Sequence, residues 1–118
     1  MRRVHHINLG VPPDLLDAER DFLVAVLGYR EAEPDPAAEK FGARWFDADD
    51  GTQIHLSLDE HHVPAQKAHT ALVVGDELDL IEKRLDTAGV RHDGAEFGGH
   101  RLILCADPAG NRFELRDS

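Results

Sequence analysis

The sequence contains one short pattern twice, and this repetition limits the possible folds more than any other feature. "GTQIHLSL" occupies residues 51–58 and "GNRFELRD" occupies residues 110–117. Each segment begins with a glycine and places a polar side chain, His55 or Glu114, four positions later between two apolar residues. A chain that repeats its elements at matching spacing is expected to fold as two similar modules.

The first half of the chain predicts a strand, a helix and a hairpin. Residues 4–11, "VHHINLGV", alternate polar and apolar side chains, as a strand with one apolar face does. Apolar residues then recur at helical spacing over residues 14–27, and Gly28 is a typical helix terminator. After the polar connection "EPDPAAEK", the segments "ARWFD" and "TQIHLSL" flank "ADDG", which has the composition of a hairpin turn.

The second half predicts the same order of elements. "AHTALVV" is strand-like, and Asp76 is a candidate cap for a helix that ends at Gly89. "RHDGAEFGGH" predicts mainly loop around a short strand, after which "RLILCA" and "RFELR" form a hairpin across "DPAGN". The repeat indicates duplication of a βαβββ-like unit, so the predicted fold class is α+β. The predicted modules are residues 1–63 and 64–118, within a single domain of residues 1–118.

The pleat of each strand decides which side chains share a face. In "TQIHLSL" the apolar residues have to face the helix, so His55 falls on the opposite side, and the same argument applies to Glu114 in "NRFELR". His6 and His69, in the first strand of each module, also fall on the face away from the helices. If the two modules pair about a pseudo-twofold axis, these four side chains converge in one concave cavity.

Three imidazoles and one carboxylate are a ligand set that suits Zn, Ni, Co or Fe(II) and binds Mg or Ca poorly. A single histidine on such a face is more often a hydrogen-bonded core or cavity residue than a ligand. Four candidate ligands at repeat-equivalent positions are harder to explain by packing, because polar groups in a cavity lose hydration. The sequence therefore predicts one divalent transition metal, with open positions for water or substrate, bound by His6, His55, His69 and Glu114.

Four of the five remaining histidines are interpreted as surface residues, namely His5, His61, His62 and His92. His100 opens a predicted strand and stays undecided.

Composition excludes several kinds of partner. The net charge of −10, from 23 acidic and 13 basic side chains, opposes binding to nucleic acid and to anionic membranes. This acidity is typical of a solubilising surface, and attraction of a cationic ligand is the other interpretation. No apolar run approaches the roughly 20 residues of a membrane span, and "MRRVHHINLG" lacks the apolar stretch of a signal peptide, so a cytoplasmic location is expected. Cys105 is the only cysteine, which excludes an intramolecular disulfide and a thiolate metal site.

Six segments of the chain carry a family resemblance, namely "VHHINLGV", "FLVAVLGY", "WF", "GTQIHLSL", "AHTALVV" and above all "DPAGNRFEL". They resemble the vicinal oxygen chelate superfamily, which includes glyoxalase I, methylmalonyl-CoA epimerase, extradiol dioxygenases and fosfomycin- and bleomycin-resistance proteins. The resemblance implies two βαβββ modules that form an open, cup-shaped mixed barrel with helices outside. It also implies one metal held by His6, His55, His69 and Glu114. The chain departs from the family at Leu23, where tyrosine is frequent, and at His55, where glutamate or glutamine is frequent.

The resemblance implies a metal-dependent lyase or isomerase of the glyoxalase type, acting through an enediolate on a small substrate chelated by two adjacent oxygens. Glu114, the only carboxylate among the candidate ligands, is the predicted catalytic base. Asn8 is a candidate hydrogen-bonding partner of the substrate, and Trp45 is a candidate apolar wall. Arg101 and Arg112 are candidate partners for an anionic group. A homodimer is expected, because members of the superfamily commonly dimerise.

Three alternatives stay open at this point. An antibiotic-binding resistance protein of the bleomycin type needs no catalysis, although such proteins generally lack the four donors. A metal-dependent thiol transferase that acts on an epoxide antibiotic needs an additional cation site, which the sequence does not locate. A dioxygenase is disfavoured, because the longer dioxygenases of the superfamily take their ligands from one module, whereas both modules supply candidates here.

Overall fold

The computed structural model describes residues 1–118 and divides into two compact units, residues 1–62 and 63–118. Each unit contains one four-stranded sheet of mixed direction. The strands of the first unit are β1 (His6–Val11), β2 (Arg30–Ala32), β3 (Arg44–Asp47) and β4 (Gln53–Leu58). Those of the second unit are β5 (His69–Val73), β6 (His92–Phe97), β7 (His100–Ala106) and β8 (Arg112–Arg116).

The two sheets have the same topology. The strand order is β1-β4-β3-β2 in the first unit and β5-β8-β7-β6 in the second. In each sheet the first strand pairs in parallel with the last strand, and the remaining pairs are antiparallel. A helix follows the first strand of each unit, which confirms the predicted α+β class and its βαβββ order.

The main helix of the first unit changes its hydrogen-bonding pattern along its length. A 3-10 turn (Pro13–Leu15) leads into α1 (Leu16–Asp21), which continues as a π-helical segment (Phe22–Val26). The predicted helix over residues 14–27 is therefore confirmed, but its last part is wider than an α-helix. A further short helix, α2 (Pro36–Glu39), lies where the sequence predicts only a connection, and the Asp35 carboxylate accepts a hydrogen bond from the Ala37 amide at its start.

The main helix of the second unit, α3 (Leu78–Thr87), packs one apolar side into the core. Leu78, Ile81 and Leu85 are each at most 3% exposed. Asp76 does not cap this helix, because it lies within a 3-10 turn (Gly75–Glu77) in which the Leu78 amide donates to the Gly75 carbonyl. Backbone hydrogen bonding thus replaces the predicted side-chain cap. No helix of the structure combines the length and the apolar character of a membrane span.

The alternation rule does not find β2 and underestimates β6. β2 has only three residues, and β6 takes up six residues of "RHDGAEFGGH", which predicts a short strand within a loop. Both are the outermost strands of their sheets and are mostly exposed, so their sequences carry no apolar stripe. Backbone pairing with β3 and β7 holds them in place.

Both predicted hairpin turns form. In the first turn the Ala48 amide donates to the Thr52 carbonyl at 2.9 Å. In the second, the buried Asp107 carboxylate accepts hydrogen bonds from the backbone and side-chain amides of Asn111, at 2.7 and 3.0 Å. Gly51 and Gly110, one in each turn, have the same φ of +86°, a conformation that favours glycine.

Burial alternates along the last strand of each unit, as predicted. Ile54 and Leu56 in β4 and Phe113 and Leu115 in β8 are each at most 1% exposed. Burying a side chain of this size contributes about 1.5–3 kcal/mol. The intervening side chains are forced onto the face away from the core, where they are half-buried or exposed.

The register of the two parallel strand pairs gives His55 and Glu114 equivalent positions. In the first unit His6 lies opposite Gln53, two residues before His55. In the second unit His69 lies opposite Arg112, two residues before Glu114. Each unit therefore carries two of the predicted ligands on adjacent strands of one face.

Candidate metal and substrate site

Three aromatic rings are stacked on the exposed face of the first sheet. The imidazole rings of His6 and His55 are nearly parallel, with centroids 3.9 Å apart and 14° between their planes. The indole of Trp45, opposite His55 on β3, stacks on the same imidazole with centroids 4.5 Å apart. His5 meets His6 edge-on, with 2.9 Å between their Nδ1 atoms. The two predicted ligands of the first unit are thus direct neighbours.

A chain of hydrogen bonds fixes the orientation of His55. Gln53 Nε2 donates to Asp47 Oδ1 at 2.7 Å, and because a carboxylate only accepts hydrogen bonds, the amide nitrogen of Gln53 has to face Asp47. The amide oxygen of Gln53 then faces His55 and accepts a hydrogen bond from its Nε2 at 2.8 Å. In the neutral ring the lone pair lies on Nδ1 of His55, which is the nitrogen left to bind a metal.

The protonation of His55 follows from its surroundings. Burial lowers its pKa below the ordinary 6.5, charge on His6 and on His5 lowers it further, and Asp47 opposes the shift. At neutral pH the ring is accordingly uncharged, which leaves its lone pair available.

Asn8 lies beside this ring. It is opposite His55 in the register of β1 and β4, and its Oδ1 accepts a hydrogen bond from Ser57 Oγ at 2.8 Å. The oxygen of the Asn8 amide is therefore engaged, and its nitrogen is the group that remains to contact a substrate.

The second unit brings its two predicted ligands within 4.0 Å, between His69 Nε2 and Glu114 Oε1. His69 Nδ1 lies 2.9 Å from the carbonyl oxygen of Lys67, which can only accept a hydrogen bond. Nδ1 therefore carries the proton, and the lone pair of the neutral ring lies on Nε2. Arg116 donates to Oε2 of Glu114 at 3.1 Å, which leaves Oε1 on the side of His69.

The donor pairs fit a divalent transition metal. Zinc–nitrogen and zinc–oxygen bonds are about 2.0–2.2 Å long, so two ligand atoms of one ion lie at most about 4.3 Å apart. The separation of His69 Nε2 and Glu114 Oε1 meets this limit, and both atoms present lone pairs. In the first unit the rings of His6 and His55 have to tilt out of their stack to share an ion, because imidazole lone pairs lie in the ring plane. Neither unit by itself gathers three or more His, Cys, Asp or Glu side chains in a metal-binding group.

A cavity of about 680 Å³ opens on the exposed face of the second sheet. His69 and Glu114 line it, and so does Arg112, one of the predicted substrate-binding residues. Phe97 and Leu104 supply apolar surface. Its volume lies within the roughly 300–1,000 Å³ of small-molecule sites.

Arg101 does not line this cavity. Its guanidinium forms ion pairs with Asp79 and, at 2.8 Å, with Glu82 on α3. These ion pairs hold α3 to the sheet, and the predicted contact of Arg101 with an anionic substrate stays a prediction.

Two histidines, His62 and His92, differ from their interpretation as surface residues, and His100 is the one that the sequence leaves undecided. His62 and His92 are half-buried instead of lying on the surface. His92 Nε2 lies 2.7 Å from Asp86 Oδ1, and the His62 ring packs so closely on Gly10 that a Cβ there would lie 2.5 Å from its Nδ1. His100 Nδ1 lies 2.5 Å from Ser118 Oγ. His5 and His61 are exposed as predicted.

Three further cavity residues carry no sequence signal. Lys67 stands in the linker between the modules, and Arg91 and Phe97 stand in the segment that predicts mainly loop. No motif or alternation marks these positions, and only the formation of β6 brings Arg91 and Phe97 to the cavity.

The sequence matches the family model of the glyoxalase-like domain over residues 11–116. The chain belongs to the glyoxalase-like family. Membership confirms the resemblance to the vicinal oxygen chelate superfamily. No curated protein matches this glyoxalase-like chain.

Solved structures share the glyoxalase-like fold at low sequence identity. A protein from Bacillus anthracis assigned to the glyoxalase family is 23% identical, with a TM-score of 0.87 over 98% of this chain and 94% of that chain. A glyoxalase/dioxygenase from Nostoc punctiforme is 22% identical, with a TM-score of 0.79 over 98% and 90%. A mutant of the fosfomycin resistance protein FosX from Listeria monocytogenes, solved with Mn(II) and 1S,2S-dihydroxypropylphosphonic acid, is 20% identical, with a TM-score of 0.79 over 100% and 91%. At these identities the matches establish the fold and leave the reaction open.

Proposed function

We propose that this glyoxalase-like protein is a metal-dependent lyase or isomerase that acts on a small substrate with two adjacent oxygens. The observation that carries the proposal is the pairing of candidate ligands in both units. His6 stacks on His55, and His69 Nε2 lies 4.0 Å from Glu114 Oε1. Each pair lies on the face of its own sheet that is turned away from the apolar core, where core packing does not require histidine.

The donors of both units would hold one divalent transition metal, namely Zn, Ni, Co or Fe. When bound, such an ion supplies Lewis acidity, which polarises a substrate carbonyl and acidifies the neighbouring C–H bond. Gln53 and the carbonyl of Lys67 orient the rings of His55 and His69, so that each presents a defined nitrogen.

Glu114 would serve as the base. Arg116 binds its Oε2, so Oε1, which is also its proposed metal-binding atom, would have to leave the metal before it takes a proton from the carbon next to the substrate carbonyl and returns it to the adjacent carbon. Glu114 lines the cavity and is half-buried, so a substrate in the cavity can reach it. The Asn8 amide nitrogen would donate to a substrate oxygen, and Trp45 would exclude water from the donors of the first unit.

Metal content and proton exchange together test the proposal. Metal-depleted protein is incubated with Zn²⁺, Ni²⁺, Co²⁺ or Fe²⁺, desalted, and analysed for bound metal. The loaded protein is then screened in D₂O against methylglyoxal–thiol adducts, fosfomycin, catechols and glycopeptide antibiotics. Near-stoichiometric metal is expected, together with exchange of a substrate C–H proton for deuterium, which NMR detects.

Glu114→Ala is expected to lower metal binding and to abolish exchange. Glu96→Ala is the matched control, because Glu96 is an exposed carboxylate of the same sheet that does not line the cavity. A protein that binds an antibiotic but takes up no metal would instead be a resistance protein without catalysis. Metal-dependent conversion of fosfomycin or of a catechol, without exchange, would assign a transferase or dioxygenase reaction. We further propose a homodimer, which sedimentation velocity measures directly.

A further inference from the structure

We infer that the cavity of the second unit binds a small organic anion with an apolar body, and that this anion is the substrate, or part of it, in the reaction proposed above. Binding itself does not require the metal. The assignment of the anion as substrate rests on the proposed function.

The cavity is basic within an acidic protein. Lys67, Arg91 and Arg112 line it, so it holds three of the 13 basic side chains of the chain. Only Asp93 and Glu114, of 23 acidic side chains, line it. Because the whole chain has a net charge of −10, this reversal of sign is local. A basic recess attracts anions and disfavours cations.

The basic side chains of the cavity are available to a ligand. None of the ion pairs in the structure includes Lys67, Arg91 or Arg112. Arg112 donates to the carbonyl oxygen of Gln66, which leaves further N–H groups of its guanidinium for an anion. Arg101, in contrast, is already neutralised by two carboxylates of the second unit.

Arg112 lies next to both proposed ligands of its unit. It is opposite His69 in the register of β5 and β8, and it stands two residues before Glu114 on the same face of β8. An anionic group bound by Arg112 is therefore held beside the proposed base. This position suits a substrate whose charged end has to be fixed while a proton moves at a neighbouring carbon.

Apolar surface completes the cavity. Phe97 and Leu104 line it and are 63% and 39% exposed, so their apolar surface is accessible to a ligand in the cavity. Leu104 lies opposite Glu114 in the register of β7 and β8. Exposed apolar side chains next to unpaired cations suit a ligand that is charged at one end and apolar at the other. The negative net charge of the chain therefore does not make this cavity attractive to cations.

Three ligands with one ring and different charges separate the effect of charge from that of shape. Metal-free, ¹⁵N-labelled protein is titrated with benzenesulfonate, benzyl alcohol and benzylammonium, and dissociation constants are taken from amide shifts. Benzenesulfonate is expected to shift the amides of cavity residues and to bind at least about fivefold more tightly than benzyl alcohol. Benzylammonium is expected not to saturate. Equal binding of the sulfonate and the alcohol, or saturable binding of benzylammonium, would overturn the inference.

Charge-removing variants locate the binding. Arg91→Gln and Arg112→Gln are each expected to weaken benzenesulfonate binding about fivefold, with the rest of the amide spectrum unchanged. Lys83→Gln is the matched control, because Lys83 is an exposed cation on α3 outside the cavity. Unchanged affinity in Arg91→Gln and Arg112→Gln contradicts the inference. Metal uptake without benzenesulfonate binding would overturn the inference and leave the proposed function standing, and the reverse result would support the inference and overturn the proposed function.

Discussion

The indole of Trp45 lies flat against the imidazole of His55, with ring centroids 4.5 Å apart and 8° between the planes. Trp45 is the only tryptophan of the chain, so its fluorescence reports on this one imidazole. We expect Co²⁺ or Cu²⁺ to quench that fluorescence saturably, because the proposed ligand His55 is in contact with the indole and would have to leave the stack to share an ion with His6. A fluorescence titration of metal-free protein measures this.

Histidine variants show whether the quenching ion is at the proposed position. His55→Ala should abolish saturable quenching, whereas His61→Ala, which removes an exposed histidine of the same unit, should preserve it. Equal quenching in wild type and His55→Ala would place the ion elsewhere.

The hydrogen bond from His55 to Gln53 predicts a single tautomer. Long-range ¹H–¹⁵N NMR of the metal-free protein at neutral pH should show His55 protonated at Nε2, because Gln53 presents its oxygen there. Gln53→Leu should give a mixture of tautomers and weaken metal binding about 10–100-fold, as loss of an orienting partner does. Gln66→Leu, at the other glutamine of the chain, should leave the His55 tautomer unchanged. A wild-type ring protonated at Nδ1 would contradict the orientation.

The glycines of the two hairpin turns form a matched pair for a stability test. Gly51 and Gly110 share a φ of +86°, but a Cβ at Gly51 meets nothing within 4 Å, whereas one at Gly110 would lie 2.9 Å from Cγ of Pro64. Gly51→Ala should lower the free energy of unfolding by about 1–2 kcal/mol from backbone strain alone. Gly110→Ala should lower it by about 1–3 kcal/mol more, because the Pro64 ring has to shift. Urea unfolding measures both, and equal losses would show that the contact costs nothing.

Tyr29 gives a pH dependence of known sign. Burial raises the pKa of its phenol from 10.0 to about 12, and the negative charge of Asp50 adds to the shift. Since Tyr29 is the only tyrosine, the tyrosinate absorbance of the folded protein should titrate near 12 and that of the urea-unfolded protein near 10. The folded state holds the proton more tightly, so the contribution to stability is complete below pH 10 and is lost as the pH rises towards 12. Asp50→Asn should lower the folded-state midpoint without bringing it to 10, and coincident folded and unfolded titrations would refute the burial of this phenol.

The central strands and helices could be predicted because their buried apolar residues recur at the spacing of a strand or a helix. Ile54 and Leu56 alternate with polar residues, and so do Phe113 and Leu115, which fixed the faces of β4 and β8 and hence the exposed positions of His55 and Glu114. The outer strands could not be predicted in this way, because β2 and β6 are held by backbone pairing and bury little of their own side chains.

The candidate site could be predicted only in part, because the sequence pattern does not show the contacts between side chains. Alternation assigns a side chain to a face, and it correctly placed Arg112 beside Glu114. It does not show which partner a long side chain meets, so it shows neither the ion pairs of Arg101 with Asp79 and Glu82 nor the place of Arg91 in the cavity lining. The hydrogen bonds that orient His55 and His69 depend on contacts with Gln53 and the Lys67 carbonyl, which only the folded chain reveals.

Each unit takes its two proposed ligands from its first and its last strand, which are far apart in the chain and adjacent in the sheet. During synthesis, a ribosome that has released β1 has exposed only His6 of the four proposed ligands, and β4 is the last strand of that unit to emerge. Neither pair can assemble on a partly made unit, and the growing chain therefore offers the cellular metal pool incomplete ligand pairs until a whole sheet has formed.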